Sequence, residues 1–156
     1  MMTSNDRAGD DPAVQWLLNE AAGLLQEAML RAPNDLEVFV AAYRFHFYAH
    51  RLEEASAIAL ECLARMARTL DLPTDWRQVC NATEPAAWVD WGSEDDAQRR
   101  FYLFALKAWG YLQLRLGRYE AGRAALDGVL RLDPRDRVGS GLLLGVLDRP
   151  EEAWEE

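Results

Sequence analysis

A single lysine and only two cysteines, Cys62 and Cys80, stand in this chain of 156 residues, and each scarcity excludes something. Two cysteines cannot build the disulfide framework on which small secreted folds depend. One lysine and sixteen arginines against 26 acidic residues leave a formal charge of −9. A chain this acidic is unsuited to general nucleic-acid binding, whose affinity comes from basic side chains neutralising phosphates. No stretch approaches the roughly 18 uninterrupted apolar residues of a membrane span, so no membrane partner is expected. The opening Met1-Met2-Thr3-Ser4-Asn5-Asp6 lacks the basic and apolar regions of an export signal, and the expected compartment is the cytoplasm. No strand-like alternation of any length occurs. A glycine-rich phosphate loop, H-E-x-x-H and G-x-S-x-G are all missing, so no cofactor is expected.

What is present is an ordinary globular balance, 50% hydrophobic and 28% charged. The length suits one domain, which typically buries about 68–70% of its unfolded surface and needs neither metal nor disulfide. Residues 1–10 are polar and read as a disordered arm. Asp11-Pro12 then makes an N-cap followed by proline in the first helical position. Val14, Leu17, Leu18, Ala21, Leu25 and Ala28 recur at three- and four-residue steps, one helical face. Pro33-Asn34 stops that helix. A second is expected from Asp35 to about Ala49. A third carries Leu52, Ala55, Ala59, Cys62, Leu63 and Met66 and fades near Leu72-Pro73.

The stretch 73–92 differs. It holds Pro73, Pro85 and Gly92 with three of the six tryptophans, Trp76, Trp88 and Trp91. The prolines exclude a long helix, and so much aromatic area favours packing onto something. Ser93-x-x-Asp96 resembles a capping box opening a long helix to about Leu116, with Phe101, Leu103, Phe104, Ala108 and Leu112 inside. Gly117 breaks it, and another helix spans Arg118 to Leu132 before Asp133-Pro134. A last apolar stretch, Val138 to Leu147, precedes an acidic tail at 149–156. The expected fold class is all-α, one helical domain over 11–148.

The helices also repeat. Residues 103–136 read LFALKAWGYLQLRLGRYEAGRAALDGVLRLDPRD, which resembles the 34-residue tetratricopeptide repeat, W-x2-L-G-x2-Y, then A-x3-F, then P. Gly110 matches the first glycine, Gly117-Arg118-Tyr119 the turn, and Gly122 the small position of the second helix, where small residues permit close helix approach. Leu126, Leu130, Leu132, Asp133 and Pro134 complete the match. The departures are Leu106 for Trp, Trp109 for Leu and Gln113 for Tyr. Residues 36–69 form a more degenerate unit, with Phe39, Ala42, Ala55, Ala59 and Cys62 in register and Tyr43 replacing the glycine. Ala21, Leu25, Ala28 and Pro33 reproduce the rhythm of a second helix alone, and 138–147 has room for one first-type helix. The resemblance implies a short antiparallel helix-pair solenoid, two full repeats flanked by half repeats. Ala55 and Gly122 are 67 residues apart, one short of two periods. A hidden middle repeat is weighed and set aside, since some 20 residues with two prolines are too few. A Trp-rich insertion at about 73–92 is expected instead.

In this family the first helices of successive repeats line a concave groove that binds an extended peptide or a partner helix. Carried over position by position, the groove residues are Val40, Arg44, Phe47 and Tyr48, with Lys107, Tyr111, Leu114 and Arg115. A basic, aromatic strip inside a −9 chain attracts carboxylate-bearing segments. The Lys, Asn and Arg set with which chaperone-binding members hold a terminal carboxylate is mostly missing. Trp76, Trp88 and Trp91 either pack on the stack or offer a second contact surface, because buried Trp and Arg dominate interface hot spots. His46 and His50, four apart on one helix, have a spacing that can place two imidazoles on one metal. They also occupy a packing position and a turn position of the repeat, so no metal site is assigned. Cys62 sits at a small-residue packing position; Cys80, in the insertion, is expected to be more exposed. The paired acids at helix starts meet the helix dipole.

The expected function is protein binding without enzymatic activity: an adaptor, scaffold or dedicated chaperone for a protein partner, with homodimerisation open. The alternative is a metal- or thiol-dependent enzyme built on His46, His50 and the cysteines. Sixteen arginines to one lysine suit a bacterial chain from a GC-rich genome.

Overall fold

The computed structural model describes residues 11–82 and 91–148, and every regular element among them is an α-helix. In order these are α1 (Pro12–Arg31), α2 (Leu36–Tyr48), α3 (Leu52–Thr69), α4 (Trp76–Cys80), α5 (Ala97–Arg115), α6 (Tyr119–Leu132) and α7 (Ser140–Leu147). Among the described residues no helix is long and apolar enough to cross a membrane. The expected arm at 1–10, the acidic tail at 149–156, Pro85 and Trp88 lie outside the described residues.

Aspartate opens four of the helices. Asp11 accepts from the Ala13 N–H at 2.8 Å, and Asp35, Asp75 and Asp96 accept from Glu37, Arg77 and Arg99, each at 3.0 Å. Each bond satisfies one of the N–H groups that a helix start leaves without an internal partner. The expected capping box takes a different form. Asp96 is itself the cap of α5, and Ser93 Oγ accepts from the Asp95 N–H at 3.3 Å ahead of the helix. The Asp96 carboxyl titrates below its usual range, first because of the Arg99 backbone N–H and then because Arg99 also ion-pairs with it at 2.5 Å.

Three helices end in one turn design. After α2, the N–H groups of Ala49, His50 and Arg51 donate to the carbonyls of Phe45, Phe47 and His46. After α3, those of Leu70, Asp71 and Leu72 donate to Met66, Arg68 and Ala67, and after α5, those of Leu116, Gly117 and Arg118 donate to Leu112, Leu114 and Gln113, in the same order. The middle residue is left-handed in all three, with φ 58° at His50, 56° at Asp71 and 79° at Gly117. Glycine enters that region without steric cost, whereas His50 does so against its Cβ.

The chain divides into two compact units, Met1–Ala55 and Ser56–Glu156. In the first, α1 packs along α2, and Arg51 donates to Asn19 Oδ1 of α1 at 2.6 Å. Phe39, Ala42 and His46 are buried at helical spacing on α2. α1 has no fully buried residue. Val14, Leu18, Ala21, Leu25 and Ala28 of its expected face are half-buried, but Leu17, at the edge of that face, is 59% exposed.

In the second unit α5 and α6 form the principal helix pair. They approach closely because Gly110 faces Ala125 and Gly122, and Gly122 receives the Leu114 side chain. Leu103, Leu106, Leu112, Leu126 and Val129 are buried there, with Leu63 and Met66 of α3. A buried hydrogen bond from Gln113 Nε2 to Ser56 Oγ, 2.8 Å, ties α5 to α3.

The 73–92 stretch contains α4, which the sequence did not predict. Its Trp76, Val79 and Cys80 are buried, and Cys80 Sγ lies where a Cβ on Gly128 of α6 would meet it at 2.7 Å. Arg131 of α6 donates to Asn81 Oδ1 just beyond. Trp76 lies 5.7 Å from Trp109, and Trp91, 3% exposed, meets Tyr102 edge-on at 5.5 Å. Of the two readings of the tryptophans, Trp76 and Trp91 follow the packing one, since their large apolar rings are taken up by α5 and α6. One expectation is corrected. Cys80 is buried, not exposed, because a glycine on α6 leaves room for its sulfur.

Candidate interaction surface

The exposed side of α5 carries a row of side chains at helical spacing: Arg100, Phe104, Lys107, Ala108, Tyr111 and Arg115. Phe104 is 48% exposed, although its apolar neighbours suggested a place in the core. The buried arc of α5 includes Tyr102, Leu103, Leu106, Gly110 and Gln113, which leaves position 104 outside it. Lys107 Nζ donates to the Val138 carbonyl at 2.5 Å, fixing the ammonium beside the α6–α7 connection. Arg115 donates to Tyr111 Oη at 3.1 Å, and its guanidinium lies 5.8 Å from that ring's centre.

Leu143 of α7 comes opposite this row. With Phe104, Lys107, Ala108 and Tyr111 it lines an open cleft of about 420 Å³. A second hollow of about 720 Å³, lined by Gly92, Glu94, Arg100, Phe104, Arg137 and Val138, shares Phe104. None of Arg100, Lys107 and Arg115 ion-pairs with a carboxylate among the described residues, whereas Arg31, Arg65, Arg99 and Arg123 do. Of the expected groove residues, Lys107, Tyr111 and Arg115 therefore share one face, while Leu114 turns its side chain onto Gly122. Phe104, Arg100 and Leu143 were not among the expected site residues. Phe104 was detectable in principle, because it lies one turn before Ala108 and two before Tyr111.

The other four expected groove residues lie on α2 in the first unit. Arg44 is exposed and Tyr48 is 76% exposed, while Val40 and Phe47 are half-buried. Phe47 stacks on Tyr43, with centres 5.9 Å apart, and meets Tyr48 edge-on at 5.4 Å.

Burial governs the groups that could carry chemistry. It pushes the Cys62 thiol up to about 11, with Glu61 adding to the effect, and the Cys80 thiol up to about 12. Both are far from the thiolate that nucleophilic chemistry requires. His46 is buried beside Phe45, and its Nδ1 has no hydrogen-bond partner. Desolvation lowers its pKa, and Arg51 adds to that lowering while Glu54 opposes it. Among the described residues no three His, Cys, Asp or Glu side chains are grouped so as to hold a metal ion.

No family model matches the chain. No solved structure matches it either. Over 135 residues it is 43% identical to an uncharacterized 19.8 kDa protein in the nifW 5′ region of Azotobacter chroococcum mcd 1. The alignment covers 86% of this chain and 73% of that protein.

Proposed function

The chain belongs to the family of the 19.8 kDa nifW 5′-region protein, and from its own side chains we propose that it is a protein-binding module without covalent chemistry. In this reading it is a short helix-pair solenoid of tetratricopeptide-repeat type, acting in the cytoplasm as an adaptor, scaffold or dedicated chaperone. Its partner is an extended segment or helix. The binding residues carried over from the repeat positions are Arg44, Phe47 and Tyr48, and Lys107, Tyr111 and Arg115.

One observation carries the proposal. In a chain of charge −9, three cations on a single helix face have no carboxylate partner among the described residues and alternate with the exposed ring of Phe104 and the half-buried ring of Tyr111. Such cations are available to an incoming acidic group, and the aromatic area beside them is the kind that dominates interface energetics. The small residues at the α5–α6 crossing support the repeat reading. Two thiols held protonated by burial favour binding over thiol chemistry.

The test is a pull-down from the native host's lysate, comparing the wild type with the Arg44→Glu/Arg115→Glu protein and reading captured proteins by mass spectrometry. Both side chains are exposed, so the double variant keeps its helicity by circular dichroism. A partner captured only by the wild type supports the proposal; a partner kept equally by both overturns it.

A further inference from the structure

We propose that the α5–α7 cleft takes an extended acidic segment of another protein, with one large apolar side chain seated against Leu143 and carboxylates about three residues to either side. The inference rests on the binding-module reading above and names the chemistry of its partner.

The argument begins with spacing. Arg100, Lys107 and Arg115 lie seven and eight residues apart on α5. At about 1.5 Å per helical residue these cations stand roughly 10–12 Å from one another along the axis. An extended chain advances about 3.3 Å per residue, so a side chain seated at the level of Lys107 lies about three residues from carboxylates that meet Arg100 and Arg115. A helical ligand would need those carboxylates seven or eight residues from its anchor.

The floor between the cations is apolar: Phe104, Ala108 and Leu143, with the ring of Tyr111. Its volume of about 420 Å³ accommodates one large side chain. An extended segment spans Arg100 to Arg115 in about seven residues, whereas a helix needs about fifteen. Lys107 spends one N–H on the Val138 carbonyl and keeps two for a backbone carbonyl of the segment. The guanidinium of Arg115, braced against Tyr111, presents its fork at one end of the row. Arg100 marks the other end, beside Phe104. Acidic flanks thus meet cations that have no ion-pair partner among the described residues, and the apolar anchor meets Phe104, Tyr111 and Leu143.

The probe is a fluorescein-labelled peptide, Glu-Ala-Ala-Trp-Ala-Ala-Glu, titrated with the full chain and read by fluorescence anisotropy. Controls are the same peptide with both Glu replaced by Gln and one with Trp replaced by Ser. Saturable binding that weakens at least tenfold with each control, and with Arg115→Glu, is the expected result. Leu143→Ser weakens binding comparably without shifting the far-ultraviolet dichroism. Affinity also falls severalfold as sodium chloride rises through the range in which surface charges become screened.

Equal binding of the Gln peptide, or indifference to both Arg115→Glu and Leu143→Ser, overturns the proposal. So does tighter binding by a helical peptide with Glu seven residues before and eight residues after its Trp. A large gain in affinity when residues 151–156, Glu-Glu-Ala-Trp-Glu-Glu, are deleted assigns the cleft to this chain's own segment and overturns the assignment to another protein. If the peptide fails while a lysate partner is still lost with Arg44→Glu/Arg115→Glu, the binding-module reading stands and only the acidic-segment assignment falls.

Discussion

Gly110 of α5 and Gly122 of α6 face each other so closely that a Cβ on Gly122 would lie 2.8 Å from the Gly110 carbonyl oxygen. The same Cβ would meet Leu114 Cδ2 at 2.4 Å, and one on Gly110 would meet Ala125 Cβ at 3.0 Å. Side chains can rotate away from such contacts, but a helix carbonyl moves only with its helix. The pair therefore sets how near α5 and α6 approach, and with it the direction in which α5 presents its outer face.

Gly122→Ala is expected to destabilise the protein by about 1–3 kcal/mol in urea unfolding, the usual cost of overpacking a close contact. Gly145→Ala is the control. It is also a helical glycine, but open space surrounds it. There the better helix propensity of alanine is expected to stabilise by about 0.5–1 kcal/mol. Destabilisation by both to the same degree would show that glycine is needed for backbone reasons unrelated to the crossing.

Two of the left-handed turn residues, His50 and Gly117, make opposite predictions. At His50, with φ 58°, glycine removes the strain on Cβ and is expected to raise stability by about 0.5–1 kcal/mol. At Gly117, with φ 79° and nothing near its Cα, alanine is expected to cost about 1 kcal/mol through conformation alone. Thermal unfolding of the two single variants checks both signs.

Both thiols are buried, and their pKa values of about 11 and 12 leave almost no thiolate at pH 8. Ellman's reagent is therefore expected to label neither Cys62 nor Cys80 in the folded protein at pH 8. In 6 M guanidinium chloride both react promptly, since unfolded thiols return to about 8.5. Rapid labelling of one thiol in the native state would reveal access to a site that the packing on Gly128 or within α3 closes.

His46 introduces a pH dependence. Burial lowers its pKa, so the unfolded chain binds this proton at a higher pH than the native chain does. Stability from this group is complete above the unfolded value near 6.5 and is lost as the pH falls below it. His46→Phe removes the titration while keeping a ring beside Phe45. Between pH 7.5 and pH 5.5 the melting temperature of the wild type is expected to fall more than that of the variant. Parallel curves would show that His46 is solvated enough to accept its proton in the folded state.

Much of the local structure was legible in the sequence. Asp11-Pro12, Asp35, Gly117 and Asp133-Pro134 delimit helices through capping and backbone geometry, which depend on a few neighbouring residues. The small residues at positions 110 and 122 marked a close crossing before any partner could be named. His50 occupies a position where the repeat pattern has glycine, and the turn holds it left-handed.

Which side of each helix faces outward was another matter. Periodicity locates one buried stripe well when a helix has one neighbour. α5 packs against α6, is bonded to α3 through Gln113 and meets Trp91 through Tyr102, so its buried arc is wide and Phe104 falls outside. The same limit applies to Trp76, Trp91 and Cys80. Composition required their apolar area to go somewhere, but only the glycine at 128 and the rings of Tyr102 and Trp109 determined where. Leu143 joined the cleft for a similar reason: it lies 28 residues beyond Arg115, and no local rule relates them. The sequence by itself determined the helices and their ends, because backbone hydrogen bonds and caps are settled within a turn or two. Only the tertiary structure decided which aromatics were buried and which cations lacked a carboxylate, because those depend on side chains brought together from distant positions.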